Sequence, residues 1–167
     1  MFHIVLWGGW YGSHNIGDQA LLLTIVDLLG KTLGEVRFTV LTDNPEHVRR
    51  YGREESRYPI DALHNRRQLP EVLRRLAACD LLVFGGGTPF FDERKHLLAM
   101  ALIVATARLG RTPYMTWAIS SQEVSSANAR RLFRWVLDGA AAITYRDQHT
   151  LDLFRACRTT TPLHLVG

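Results

Sequence analysis

The sequence is poor in the features that sort a chain at once into a familiar class. It has two cysteines, Cys79 and Cys157, far apart in its 167 residues. No Cys-x-x-Cys pair and no Cys/His ligand spacing occurs, which excludes a disulfide-framed secreted domain and argues against a zinc site. Two lone thiols fit a reducing cytosol. Long hydrophobic runs are missing too: the longest, Leu97 to Ala107, is interrupted by Thr106 and is too short to span a bilayer. The apolar stretch His3 to Trp7 has no basic segment before it and no small-residue cleavage site after it, so no signal peptide is visible. There are no internal repeats and no low-complexity tracts. Neither sign of charge dominates. The formal net charge of +4 suits an anionic ligand or an acidic surface without demanding nucleic acid. The arginines lack the interleaved aromatic residues of a nucleic-acid platform. Two nucleotide signatures are also missing. G-x-G-x-x-G cannot be laid on Gly8 to Ser13, and no Lys-Ser or Lys-Thr follows the glycines as in a P-loop.

What is present is the composition of one globular domain, 47% hydrophobic and 22% charged, in a chain long enough to bury a core. Strand-length apolar runs alternate with helix-period runs. Strands are expected at His3–Trp7, Val36–Leu41, Tyr58–Ile60, Leu81–Phe84, Tyr114–Ile119, Ala140–Thr144 and Leu163–Val166, with a further loop beginning at Gly167. Helices are expected at Ala20–Leu29, from Pro45 toward Tyr51, from Pro70 to about Cys79, at Lys95–Leu109, after a cap at Ser125 or Ser126, and at Gln148–Ala156. Gly30 should stop the first helix. The Lys95–Leu109 helix is apolar almost all round and should be buried. The helix after the serines should turn Leu132, Trp135 and Val136 inward and Arg130, Arg131 and Arg134 outward. This alternation predicts an α/β fold over residues 1–167: a doubly wound, mainly parallel Rossmann-like sheet with helices on both faces. Right-handed crossovers would bring the loops after strands one, four, five and six to one edge.

Those four loops hold the unusual residues. Gly9 to Leu22 (GWYGSHNIGDQALL) joins the first strand to the first helix. Unpaired N–H groups and the helix dipole make such a turn an anion site, and Gly12 and Gly17 let a ligand approach closely. Asn15 and Asp18 are either N-caps of the helix or, with Tyr11, parts of a ligand loop. Leu81–Phe84 reads as a strand covered on both faces, and Gly85, Gly86 and Gly87 follow its carboxyl end, where open α/β sheets bind ligands. A triple glycine costs conformational entropy, so it points to ligand approach unless packing demands it. Ser120 lies at the end of the fifth strand. Arg146 and Asp147 end the sixth: Asp147 either caps the next helix and pairs with Arg146, or leaves Arg146 to hold an anion. Asp43 stands where a dinucleotide-binding domain puts its ribose acid, although an Asx turn accounts for it as well. Arg49, Arg50, Arg53, Arg57, Arg66 and Arg67 read singly as a solvated surface and together as a face for an acidic polymer.

Three blocks together resemble the polysaccharide pyruvyl transferase family: GWYGSHNIGDQALL (family sense G-x-x-G-x-x-N-x-G-D-x-A-L), DLLVFGGGTPFFDE (D, hydrophobic run, G-G-G, then an acid) and AAITYRDQHTLDLF (I-T-x-R-D, then a short helix). The sequence departs from the pattern at Gln19, where an acid is usual, and at Trp117 to Ser121, where a glycine-rich run is usual. The resemblance implies one half of a two-domain fold similar to B-type (GT-B) glycosyltransferases, with the active site in the cleft and the second domain outside this chain. It implies transfer of an enolpyruvyl unit from phosphoenolpyruvate, as substrate rather than cofactor, to a sugar hydroxyl, giving a pyruvate ketal. Asn15 and Asp18 would meet the sugar or move protons. Tyr11, Gly12, Gly17, Gly85, Gly86, Gly87, Ser120, Arg146 and Asp147 would bind substrate, and no metal is required. The implied partners are phosphoenolpyruvate and a glycan or lipid-linked sugar, with no nucleic acid. A cytoplasmic location follows, at the inner face of the membrane if the acceptor is lipid-linked. The alternatives from the residues alone are a sugar-nucleotide glycosyltransferase half and a non-catalytic nucleotide-binding α/β domain.

Overall fold

The computed structural model describes residues 1–166. The strands are β1 (Phe2–Trp7), β2 (Val36–Thr42), β3 (Ile60–His64), β4 (Leu81–Gly85), β5 (Tyr114–Ile119), β6 (Ala142–Tyr145) and β7 (Leu163–Leu165). Between them lie α1 (Ile16–Leu33), α2 (Pro45–Glu55), α3 (Leu69–Ala78), α4 (Arg94–Leu109), α5 (Ala127–Leu137) and α6 (Gln148–Ala156). All seven strands pair in parallel in the order β3-β2-β1-β4-β5-β6-β7.

Right-handed crossovers then put α1 and α2 on one face and α3 to α6 on the other. Two apolar clusters follow. Leu22, Ile25, Val26, Val48 and Tyr51 close over Ile4, Leu6, Phe38 and Val40. Val72, Leu76, Met100, Val104, Phe133 and Phe154 close over Val5, Trp7, Leu82 and Phe84. Strand order reverses direction between β1 and β4, so the loops after these two strands flank the crevice where such sheets bind ligands.

Several boundaries differ from the sequence expectation, each for a packing reason. The first helix does not stop at Gly30. It runs to Leu33 and closes at Gly34, whose φ of 77° suits glycine and whose N–H reaches the Gly30 carbonyl at 2.9 Å. Gly30 is a glycine because a Cβ there would lie 2.3 Å from the Tyr58 ring. The third strand is Ile60–His64, with Tyr58 packed edge-on to Phe38 ahead of it, because the polar Asp61 and His64 mask the alternation. The sixth strand begins at Ala142. Helix α4 is buried along one stripe only; Leu98 and Leu109 are 63% and 87% exposed. On α5 the inward residues are Ala129, Phe133, Val136 and Leu137, while Trp135 faces out beneath the Arg108 guanidinium, 4.3 Å from its ring centroid. The loop expected to begin at Gly167 lies outside the described residues. No described helix is long and apolar enough to cross a membrane.

Candidate functional site

Because every strand runs the same way, the four loops of interest leave the same edge, in the spatial order set by β1, β4, β5 and β6. Hydrogen bonds stitch them together. The Tyr11 hydroxyl donates to the Gly85 carbonyl. Gly86 N–H donates to Trp117 O at 3.0 Å, Ser120 N–H to Gly87 O at 2.8 Å and Gln122 N–H to Phe90 O at 2.9 Å. Arg146 N–H donates to Ile119 O at 3.2 Å, and Ser120 Oγ donates to Asp147 Oδ2 at 2.6 Å. Tyr11, the glycine triplet, Ser120, Arg146 and Asp147 therefore sit on one continuous rim.

The capping reading holds for Asn15. Its backbone is extended and its Oδ1 accepts the Gly17 N–H at 2.8 Å, which is why α1 starts at Ile16 and not near Ala20. Asp18 lies in the first turn of α1, where the dipole favours its charge, and accepts from Ser13 Oγ at 3.2 Å. Tyr11 is fully buried. Burial, with Tyr51 and Asp18 nearby, pushes its phenol far above the ordinary value, so it stays a hydrogen-bond donor. Gly12 takes a φ of 86°, and a Cβ there would crowd Asn44 O and Thr42 Oγ1 at 3.0 Å each. The Thr42 hydroxyl donates to Tyr11 O and Asn44 Nδ2 to Gly12 O at 3.3 Å, so the turn is pinned to the β2–α2 loop.

Packing accounts for two of the three consecutive glycines. A Cβ on Gly85 would meet Tyr11 Oη at 2.7 Å, and one on Gly86 would meet Leu21 at 2.1 Å. Gly87 differs: at a φ of 76° its Cβ position meets nothing nearer than Gly9 Cα at 3.7 Å. Its positive φ accounts for the glycine, and the space beside it is open.

Asp147 caps α6: its Oδ1 accepts Thr150 N–H at 2.8 Å and Thr150 Oγ1 at 2.7 Å. Partial burial works against its charge, but hydrogen bonds from Ser120 and Thr150 and the Arg146 charge outweigh it and hold the carboxyl below its ordinary value. With both oxygens engaged, Asp147 positions the loop. The Arg146–Asp147 ion pair is not formed; among the described residues no carboxylate lies within 4.0 Å of the exposed Arg146 guanidinium.

Sequence reasoning did not foresee how β5 bends at this edge. The β5–β6 register shifts between Thr116 and Ile119, and Ala118 sits at a φ of 46°. Two threonines hold the bulge. Thr144 Oγ1 accepts the Ala118 N–H at 2.8 Å and donates to Thr116 O at 2.9 Å, while Thr116 Oγ1 accepts the Thr144 N–H at 2.9 Å. Next to it the Ser121 Oγ is buried without a partner among the described residues. The same segment is where the sequence departs from the glycine-rich pattern. Elsewhere, Arg49, Arg50 and Arg57 pair with Asp61, Glu54 and Asp27, as a solvated surface would. Asp43 makes no Asx turn; Asn44 caps α2 and the Thr42 hydroxyl accepts the Asn44 N–H at 3.0 Å. Among the described residues no group of three or more His, Cys, Asp or Glu side chains could hold a metal ion.

The sequence profile described as polysaccharide pyruvyl transferase matches residues 15–167, taking in Asn15, Asp18, the glycine triplet and Arg146 but not Tyr11 or Gly12. No curated protein matches the chain. Among solved structures, the chain is similar to apo histidine-tagged saccharopine dehydrogenase (L-Glu forming) from Saccharomyces cerevisiae, with 14% identity and a TM-score of 0.48 over 86% of this chain and 26% of that one. The chain thus spans about a quarter of that protein's length.

Proposed function

The chain belongs to the polysaccharide pyruvyl transferase family, and from that premise we propose that its stitched rim forms one wall of a site that moves an enolpyruvyl unit from phosphoenolpyruvate to a sugar hydroxyl. The family match carries this reading. In the reaction, a proton adds to the enol methylene carbon and makes the neighbouring carbon electrophilic. A sugar hydroxyl adds to that carbon and gives up its proton. Phosphate leaves, and a second hydroxyl of the same sugar closes the ketal. Cations must hold the carboxylate and the departing phosphate, and a base must take the hydroxyl proton.

The residues fit parts of these roles. Arg146, exposed and without a salt-bridge partner among the described residues, takes an anionic group of the donor. Asp18, in the first turn of α1, anchors or deprotonates a sugar hydroxyl, with Ser13 orienting it. Gly87 lets substrate lie against backbone. Asn15 and Asp147 shape the two helix starts. The acid and the remaining cations belong to a second α/β half facing this one across a cleft, and the acceptor is a cytoplasmic glycan or lipid-linked sugar.

Titration of the chain with phosphoenolpyruvate, followed by amide NMR, tests the placement. Resonances of Gly86, Gly87, Ser120 and Arg146 should shift together, and Arg146→Ala should abolish the response. Shifts confined to other surfaces, or a response untouched by Arg146→Ala, would overturn it.

A further inference from the structure

A cavity of about 400 Å³ opens at the same sheet edge on the other flank of the glycine turn. None of Asp18, Gly85, Gly86, Gly87, Ser120, Arg146 or Asp147 lines it. Its walls are the aliphatic side chains of two adjacent helices, Val72 and Leu73 of α3 and Ala99, Leu102 and Ile103 of α4. One end is aromatic. Trp10 stacks on Phe91 with centroids 6.4 Å apart, Phe91 on His96 at 4.0 Å, and His96 on Trp7 at 5.2 Å. Trp10, at the outer end of this ladder, is 56% exposed. Asp43, Asn65 and Arg66 reach it from the ends of β2 and β3, and Glu93 from just ahead of α4.

Asn65 supplies the informative detail. Its Nδ2 donates to Asp43 Oδ1 at 3.4 Å, and the carboxylate fixes which way the amide is turned, since an amide oxygen facing Asp43 would be repelled. The Asn65 Oδ1 is then buried with no partner among the described residues. That oxygen is closed off from the cavity, so the part of Asn65 that bears on a ligand is its amide nitrogen, which holds the Asp43 carboxylate at the cavity mouth. Beside it the Asp43 carboxylate is exposed and not consumed by a turn. An exposed carboxylate held in place beside an apolar slot asks for a ligand with vicinal hydroxyls, which its oxygens can accept from together, at one end and an apolar ring at the other.

We propose that this cavity binds a nucleoside, with its base between α3 and α4 and its ribose hydroxyls on Asp43. A free sugar fits less well, because the aliphatic walls offer a polyol no partners. An alkyl chain fits less well, because the entrance carries Asp43 and Arg66. A dinucleotide is disfavoured at the turn itself: the close approach that Gly9 allows is taken by the Tyr11 ring, whose carbons lie 2.4–2.9 Å from a Cβ position there. The volume is within the range of small-molecule sites. This site does not depend on the phosphoenolpyruvate reading, since it shares none of the residues assigned to that substrate.

The test is calorimetric titration of the chain with adenosine, uridine and 2′,3′-dideoxyadenosine, none of which carries phosphate or enolpyruvate. A ribonucleoside should bind one-to-one, about tenfold or more tighter than its dideoxy counterpart, as loss of a hydrogen bond to a carboxylate predicts. Asp43→Ala, an exposed and structurally mild change, should erase that preference. Filling the slot with Ala99→Phe, or independently with Leu73→Trp, should abolish binding of both nucleosides while the thermal unfolding transition persists. The proposal is overturned by no saturable binding in the millimolar range, by equal affinity of the ribose and dideoxy forms in the wild type, by binding that survives both filling variants, or by decanol saturating the cavity where nucleosides do not.

Discussion

The Tyr11 hydroxyl donates a hydrogen bond to the Gly85 carbonyl, 74 positions away in sequence, and so closes the crevice between the loops after β1 and β4. The contact sits where strand order reverses, buried under α1, and it uses the space that a Gly85 side chain would fill. Tyr11→Phe keeps the ring and removes only the donor. The Gly85 carbonyl loses that donor at a buried position, and the change should cost about 1–3 kcal/mol. Urea denaturation should show a lower midpoint with an unchanged slope. A midpoint equal to wild type would mean the bond contributes nothing.

Ala118 holds a left-handed backbone, φ 46°, at the β5 bulge. An L-side chain there is strained, and the threonine hydrogen bonds keep the bulge regardless. Ala118→Gly relieves strain in the folded state and adds entropy to the unfolded one; the first term is larger, so the net gain should be about 0.5–1 kcal/mol. A raised melting temperature is the expected reading, and a lowered one would show the bulge to be unstrained.

His3 gives the fold a pH dependence. Burial, reinforced by the Arg37 and Arg75 charges, lowers its imidazole from 6.5 to about 4. Its Nε2 lies 2.9 Å from Thr39 Oγ1, which also accepts from Arg75 at 3.3 Å, so the neutral ring accepts from the hydroxyl. The folded state binds fewer protons than the unfolded state between those two values. Stability therefore rises with pH across that window: the contribution is complete above about 6.5 and is lost as pH falls toward 4, on the order of 2–3 kcal/mol. His3→Gln should flatten the stability profile between pH 4 and 6.5. Parallel profiles for the two proteins would remove His3 as the cause.

Gly86 and Gly87 separate packing from binding. Gly86→Ala drives a methyl into Leu21 at a φ of 57° and should destabilise by about 2 kcal/mol or more. Gly87→Ala bears only the backbone strain of about 1 kcal/mol, because its Cβ position is open. The folded Gly87→Ala protein should bind phosphoenolpyruvate at least tenfold more weakly, by steric block. Unchanged affinity in a stably folded Gly87→Ala variant would take Gly87 out of the site.

Elements whose period is carried by their own residues were legible in advance. Tyr114–Ile119 and Gln148–Ala156 have the bounds expected of them. The convergence of the four loops also follows from alternation and crossover handedness alone. Boundaries failed where a neighbour overrides local preference. Gly30 stays helical because Tyr58 needs its missing side chain, and Trp135 faces out because Arg108 covers it. Asn15 and Asp18 share a turn and a residue type suited to capping, yet only Asn15 does so, because only its backbone is extended ahead of the helix.

The amino-acid order by itself determined the layered parallel fold, the edge that carries the glycine-rich loops and the family, because hydrophobic period and short motifs are local properties of the chain. Tertiary structure decided what each of those residues does. It filled the space at Gly85 and Gly86 with Tyr11 and Leu21 and left Gly87 open; it engaged both oxygens of Asp147 and left Arg146 exposed. It also set Asn65 beside Asp43 at the entrance to a cavity that no motif announces. The reason is distance along the chain: a cavity, an orphaned acceptor or a clash at a Cβ position is made by residues tens of positions apart, and only the packed sheet brings them into contact.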